Sequence, residues 1–267
     1  MTKSRLRTIA QQIVYFLHKK LFYVHYKKVT ELLVPNIFKI DKIKLGREGD
    51  GTYILPKGLI DNENVLISLG VADDISFEED YMKTYPNSKV FAYDPSIPKL
   101  PGENTNIIFQ SKGVAGKNSK KKKLITFDSI LQENKIEIEK QIVIKMDIEG
   151  WEWGVFERLS FKDYDIPVIV MEFHMMALNS MSEWILFPYH FWKRLAILRK
   201  ILNEYYIFHL HANNYSYTHF KNFTFPWLFE ITLVKKRLFF NEILNDINNL
   251  NAINCNDRED IQFPFFK

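Results

Sequence analysis

The sequence predicts an α/β fold: a mostly parallel sheet with an antiparallel end, covered by helices and preceded by one more. Three observations predict it. From Val65 onward, short apolar segments alternate with amphipathic ones, the pattern of a parallel sheet with helices on both faces. Three of the apolar segments run straight into Gly70, Asp94 and Asp147, and in such folds ligands gather at the carboxyl ends of strands. The last two apolar segments have no long helical stretch between them, which points to an antiparallel edge.

Each element has its own signal. Residues 5–34 read as a basic amphipathic helix, with Ile9, Ile13, Phe16 and Leu17 at three- and four-residue steps and Pro35 as the stop. Residues 44–56 form a glycine-punctuated turn leading into a short strand. Val65–Leu69 is a strand, and Ser76–Tyr85 a helix with Ser76 as its N-cap and Glu78 and Glu79 in its first turn. Lys89–Tyr93 and Asn106–Phe109 are strands, residues 116–123 a lysine-rich loop, and Leu124–Phe127 a short strand before a helix starting near Asp128. Gln141–Met146 is a strand, Trp151–Leu159 a helix, Pro167–Phe173 a strand and Tyr189–Asn203 a long helix. Tyr206–His211 and Leu228–Val234 complete the sheet, and the Asn-rich remainder is weakly helical. These elements divide the chain into an N-terminal extension over 1–43, a main domain over 44–237 and a C-terminal tail over 238–267 that packs on it.

Composition narrows the classes. The 22 Phe, 13 Tyr and 5 Trp supply ample burial, which excludes a solvated disordered polymer. The single cysteine, Cys255, excludes an internal disulfide and a cysteine-based zinc site. No apolar run reaches the roughly 18 residues of a membrane span, and none reads as a secretory leader, so a cytoplasmic protein is expected. The net charge of +4 hides an uneven distribution: residues 1–30 hold seven basic residues and no acid, and residues 112–123 hold six lysines and no acid. Without those thirteen charges the other 225 residues stand at −9. The N-terminal patch suits either a helix on anionic lipid at the inner membrane surface or one packed on its own domain or on a second subunit in a homodimer. No nucleic-acid module is recognisable, so nucleic acid is not an expected partner.

The first strand ends Ile-Ser-Leu-Gly-Val-Ala-Asp-Asp over residues 67–74. Gly70 lets the backbone turn next to a ligand, and Asp94, 24 residues on, stands where a ribose diol is held. The glycines of a dinucleotide fingerprint are missing, and Asp73 and Asp74 would repel a pyrophosphate. They tolerate a cationic ligand carrying an amino group and a sulfonium, which favours S-adenosylmethionine over NAD. The sharpest feature is Ile142-Val-Ile-Lys-Met-Asp-Ile-Glu-Gly-Trp-Glu-Trp153, where a buried strand runs into Asp147 and Glu149 and turns at Gly150. Two carboxylates at a strand mouth are costly unless used, paired or solvated.

Lys145-Met-Asp-Ile-Glu-Gly150 resembles the K-x-D-x-E-G motif of FkbM-type methyltransferases. Gly46-Arg-Glu-Gly-Asp-Gly-Thr-Tyr53 resembles the G-R-x-x-D-G-G-Y lead-in of a related methyltransferase-like branch, with Thr52 in place of the second glycine. Ser68-Leu-Gly-Val-Ala-Asp-Asp-Ile-Ser-Phe-Glu78 resembles that branch's S-x-G-x-x-x-D-x-S-F-E stretch, and Val114-Ala-Gly116 and Thr126-Phe-Asp-Ser-Ile130 fall where comparable short motifs occur. The resemblance spans roughly residues 44–235. It implies a Rossmann-like class I methyltransferase with a mostly parallel seven-stranded sheet and S-adenosylmethionine as cofactor. It places the methionine part against Gly70, the ribose against Asp94 and the adenine against the strand end at Lys112–Ala115, including Val114. Asp50 would help close the site, Asp73 would border it, and Asp147 would face the methionine amino group or the acceptor.

Methyl transfer to an alcohol benefits from a base that takes its proton. His174 is the expected base, with Asp147, Glu149 and His211 shaping the site, because His174 and His211 fall at predicted carboxyl ends of strands. No metal is assigned; the competing arrangement has Asp147, Glu172, His174 and His211 converging on a divalent ion. The expected activity is O-methylation of a sugar hydroxyl, on a glycan that is nucleotide- or lipid-linked; the resemblance implies a place in surface polysaccharide or glycoconjugate synthesis. The alternatives are a non-catalytic glycan- or membrane-associated protein on a degenerate scaffold, and an NAD enzyme. All five Trp lie between Trp151 and Trp227, in the half the resemblance assigns to the acceptor.

Overall fold

The computed structural model of the protein describes residues 23–25, 27–49, 51–102, 105–175, 186–215, 217–220, 223–239 and 243–244. Residues 23–25 and 27–32 are helical (α1). Then come β1 (Ile37–Phe38), β2 (Lys42–Leu45), β3 (Tyr53–Pro56), β4 (Val65–Leu69), α2 (Ser76–Thr84) and β5 (Lys89–Tyr93). They are followed by β6 (Ile107–Gln110), β7 (Gly113–Val114), β8 (Leu124–Ile125), α3 (Phe127–Glu133), β9 (Ile142–Met146) and α4 (Glu152–Arg158). The chain continues with β10 (Val168–His174), α5 (Phe187–Glu204), β11 (Tyr205–Ala212), β12 (Tyr217–Phe220), β13 (Phe223–Pro226), β14 (Leu228–Lys235) and β15 (Ile243–Leu244).

Seven strands form one sheet in the order β11-β14-β10-β9-β4-β5-β6. The pairings of β4 with β5 and β9, of β5 with β6, and of β9 with β10 are all parallel. β14 lies antiparallel between β10 and β11, which is the antiparallel end expected from the missing crossover helix. The strands are apolar because both faces are covered: β4 and β9 are buried along their whole length. Period-two alternation sends Ile67, Ile144, Met171 and Phe173 into a core with Phe156, Phe191 and Leu198. Leu66, Val143 and Val170 face the opposite core, under Tyr53, Phe77 and Tyr81.

The sheet reverses its strand order at β4. From there β5 and β6 run to one side and β9 crosses to the other, which opens a crevice at the carboxyl ends of β4 and β9. Gly70 and Asp147 meet at this point. Asp147 N–H donates to Leu69 O at 2.8 Å, and Gly70 N–H donates to Tyr93 O at 2.8 Å.

Three local details differ from the sequence reading. Ile75, not Ser76, is the N-cap of α2; the Ser76 hydroxyl accepts instead from Arg47 N–H at 2.8 Å, and Ser76 N–H donates to Asp74 Oδ1 at 3.0 Å. Thr126 caps α3 through its side chain, accepting from Ser129 N–H, so the helix begins at Phe127. The β2–β3 and β12–β13 hairpins and the β1–β15 pair add small sheets that carry no period-two signal long enough to read.

Of the N-terminal helix read over 5–34, residues 5–22 and 26 lie outside the described set. The end of that helix packs on the main domain: Val29 and Leu33 are buried in its core, and His25 meets Phe191 edge-on at 4.2 Å. Asn36 exchanges hydrogen bonds with Ile207, its N–H reaching Ile207 O at 2.7 Å and its Oδ1 accepting from Ile207 N–H at 3.3 Å. Apart from β15, the tail beyond residue 239 lies outside the described residues.

Candidate active site

A cavity of about 410 Å³ occupies the crevice, a size typical of small-ligand sites. Its floor is the turn after β4. Gly70 has φ of +82°, and a methyl group added there would lie 1.7 Å from Asp147 O. Only glycine lets the two strand ends come this close.

Asp94 fixes the same turn from β5. Its Oδ2 accepts from Val71 N–H at 3.0 Å and Ala72 N–H at 2.9 Å, while Oδ1 accepts from Ser96 N–H at 2.7 Å and the Ser96 hydroxyl at 2.5 Å. Burial pushes this carboxyl upward, but the four donors outweigh it and hold it below the ordinary carboxylate range. Asp94 is thus ionised and organises the loop from Gly70 to Ala72.

Side walls come from both directions. Val114, on β7, and Leu124, on β8, make an apolar wall. Arg47 and Asp74 border the opposite side, with Arg47 Nε 3.2 Å from Asp74 Oδ2. The Ser68 hydroxyl donates to Glu78 Oε1, tying α2 to β4 through two fully buried side chains. Lys145 Nζ donates to Gly70 O and lies 5.7 Å from the Tyr53 ring centroid. The lead-in turn closes through Thr52, whose hydroxyl donates to Arg47 O.

At the far end Asp147 and Glu149 line the cavity with Trp151. Glu149 has φ of +54°, an uncommon conformation for a residue with a side chain, and it turns its carboxylate towards His174. Asp147 Oδ1 is buried with no hydrogen-bond partner among the described residues. Burial raises the Asp147 carboxyl to about 6, against the opposing fields of Lys145 and His174.

His174 sits among four carboxyl groups. Nδ1 is 3.0 Å from Glu152 Oε1; Nε2 is 3.3 Å from Glu149 Oε2, 3.3 Å from Glu172 Oε2 and 4.0 Å from Asp147 Oδ1. Burial alone would lower its pKa, but hydrogen bonds to Glu149 and Glu152 and the charges of Glu152 and Glu172 raise it to about 11. The ring is almost completely enclosed and does not line the cavity. The expectation that His174 is the base is therefore corrected: the ring is enclosed by four carboxyl groups and does not reach an acceptor in the cavity. Glu152, fully buried, is the residue the sequence reading missed; as a first-turn acid it looks like an ordinary helix-dipole partner.

The other expected site residues divide by position. Gly70, Asp73, Asp94, Val114, Asp147 and Glu149 all line the cavity. Asp50 lies outside the described residues. His211 does not line the cavity: it is buried on β11, with Nδ1 3.4 Å from Glu230 Oε2, and β14 separates its strand from β10. Its expected role in shaping the site is corrected on that ground, and the four-residue metal arrangement loses this member. Lys145 and Arg47, which stand in the quoted motifs but were given no role there, also line the cavity. Among the described residues, no helix is long and apolar enough to cross a membrane.

Comparison with known proteins gives this geometry a family. A family model described as the methyltransferase FkbM domain matches residues 35–205. No curated protein matches. Among solved structures, a ribosomal RNA methyltransferase from Plasmodium falciparum is similar at 14% identity with a TM-score of 0.34, covering 66% of this chain and 86% of that one. A precorrin-6y C5,15-methyltransferase from Geobacter metallireducens GS-15 is similar at 13% identity with a TM-score of 0.29, covering 65% and 80%. With a doubly wound sheet, a crevice at its switch point and the family model spanning most of the sheet, the chain belongs to the FkbM methyltransferase family and has a Rossmann-like methyltransferase fold.

Proposed function

We propose that the protein is an S-adenosylmethionine-dependent O-methyltransferase acting on a sugar hydroxyl in surface polysaccharide or glycoconjugate synthesis, at the cytoplasmic side of the membrane. The observation that carries this reading is the cavity itself, which joins the Gly70–Ala72 turn to the carboxylates of Asp147 and Glu149. The residues fit the cofactor. An apolar wall at Val114 and Leu124 suits an adenine, the ordered turn after β4 offers backbone to the methionine part, and the acids Asp73, Asp147 and Glu149 suit its cationic groups. Bound S-adenosylmethionine supplies an electrophilic methyl group on a sulfonium.

The chain's own residues do the rest. Asp94 holds the turn in one conformation, and Lys145 holds Gly70 O from below. Asp147 and Glu149 are the carboxylates at the far end of the cavity, beside Trp151, so an acceptor hydroxyl would be held and polarised there. Trp151, partly exposed on the cavity wall, offers a face on which a sugar ring can stack.

The basic loop supports an anionic acceptor. Lys117, Lys120, Lys121, Lys122 and Lys123 are exposed, and Lys122 Nζ lies 6.0 Å from the Trp151 ring centroid, at the rim of the cavity. That position suits the diphosphate of a nucleotide- or lipid-linked glycan better than a nucleic acid, for which the sequence holds no recognisable module. The test is calorimetry with S-adenosylmethionine and S-adenosylhomocysteine, followed by mass spectrometry of products from labelled cofactor and a panel of nucleotide-linked sugars. Binding of the cofactor and labelling of a sugar are expected. Absence of binding at millimolar cofactor would overturn the reading.

A further inference from the structure

We propose that Asp147, Glu149, Glu172 and the Nε2 atom of His174 form a divalent-cation site at the acceptor end of the cavity. One ligand atom from each of Asp147, Glu149 and His174 lies within 4.8 Å of the other two, and Glu172 Oε2 is 3.3 Å from His174 Nε2. Oxygen and nitrogen ligands about 2.0–2.3 Å from an ion stand roughly 3–4.5 Å apart. An ion therefore fits among these atoms with small side-chain rotations.

The surroundings of the ligands favour the same conclusion. A metal-bound histidine needs its remote nitrogen to donate to a fixed acceptor, which sets the tautomer and aims the other lone pair at the ion. Here Nδ1 faces Glu152 Oε1 at 3.0 Å, and that carboxylate is itself held by Ile148 N–H at 3.1 Å. Glu172 is oriented too, its Oε1 accepting from Asn213 Nδ2.

One atom points to a missing partner. Asp147 Oδ1, 4.0 Å from His174 Nε2, is buried with no hydrogen-bond partner among the described residues. Four carboxyl groups around one ring also crowd more negative charge into a partly buried space than a single imidazolium can balance, a surplus that a divalent cation would compensate. Asp147 and Glu149 border the cavity as well, so the ion would keep coordination positions open to an incoming ligand. Three carboxylates and one imidazole suit Mg²⁺ or Mn²⁺, which favour oxygen donors.

The ion would clamp neighbouring hydroxyls of the acceptor. That use rests on the methyl-transfer reading, whereas binding of the ion does not. The experiment takes the full chain, stripped with a chelator, and titrates Mn²⁺ with detection by electron paramagnetic resonance. One equivalent is expected to bind, to raise the melting temperature, and to bind at least about tenfold more weakly to Glu149→Gln and Glu172→Gln. Glu149 is largely solvent-exposed, so its variant keeps the fold; Asp163→Asn, elsewhere on the surface, should bind as the unaltered chain does. Failure of the unaltered chain to retain Mn²⁺, or equal affinity in Glu149→Gln, overturns the proposal. Cofactor binding without Mn²⁺ binding would remove the ion and leave the methyltransferase reading standing, and the converse result would do the reverse.

Discussion

A methyl group on Gly70 would stand 1.7 Å from the carbonyl oxygen of Asp147. The turn that ends β4 and the strand end that carries the site's carboxylate share one space, so neither can move alone. Gly70→Ala meets both this backbone contact and the cost of φ at +82°. We expect a loss of about 3 kcal/mol or more by urea denaturation. A loss below about 1 kcal/mol would show that the two strand ends can separate freely.

Ser68 and Glu78 form a buried pair in which the serine hydroxyl donates to Oε1, while Oε2 of the acid has no hydrogen-bond partner among the described residues. Ser68→Ala leaves Glu78 without its donor and should cost about 1–3 kcal/mol. Adding Glu78→Leu should recover part of this loss, because the double variant buries no orphaned carboxylate. Additive losses in the two single and one double variant would show that the pair is not a unit.

Asp94→Asn replaces one acceptor oxygen by a donor facing N–H groups. Either the Val71 and Ala72 donors or the Ser96 donors lose their partner. The turn should loosen, and calorimetry should show S-adenosylmethionine binding at least about tenfold more weakly, near 1.4 kcal/mol. Unaltered affinity would separate Asp94 from the cofactor's turn.

His209 is buried on β11, and its burial, followed by the charges of Lys42 and His211, lowers its pKa to about 3. Between about 6.5 and 3 the unfolded chain binds a proton there that the folded chain refuses. Stability from this group is thus full above pH 6.5 and is lost as pH falls towards 3, by roughly 3–5 kcal/mol over the whole interval. His209→Gln should flatten the acid limb of a stability-against-pH curve measured by thermal melting. An unchanged limb would assign acid sensitivity to other groups.

The strands were the most legible part of the sequence. Val65–Leu69 and Lys89–Tyr93 match their segments residue for residue, because strands covered on both faces read as unbroken apolar runs. The β2–β3 pairing was only half visible, as Lys42 and Lys44 break the apolar pattern of β2. Gly70, Asp94 and Asp147 were legible because each comes directly after such a run. His174 was misread for a spatial reason: Glu152 and Glu172 come to it from α4 and from its own strand. A histidine at a strand end looks the same in sequence whether it faces a substrate or a ring of acids.

The reversed strand β14 has a consequence for how the molecule can vary. Because it runs against β11, the connection between them, with the β12–β13 hairpin, emerges at the same edge of the sheet as Gly70 and Asp147. The cradle formed by β4, β5 and β9 lies on the other side of β10. Lengthening, shortening or rewriting residues 213–227 would reshape that edge while leaving every contact of the Gly70 turn in place. The architecture thus separates the half that holds the Gly70 turn from a half whose connection can be rewritten without touching it.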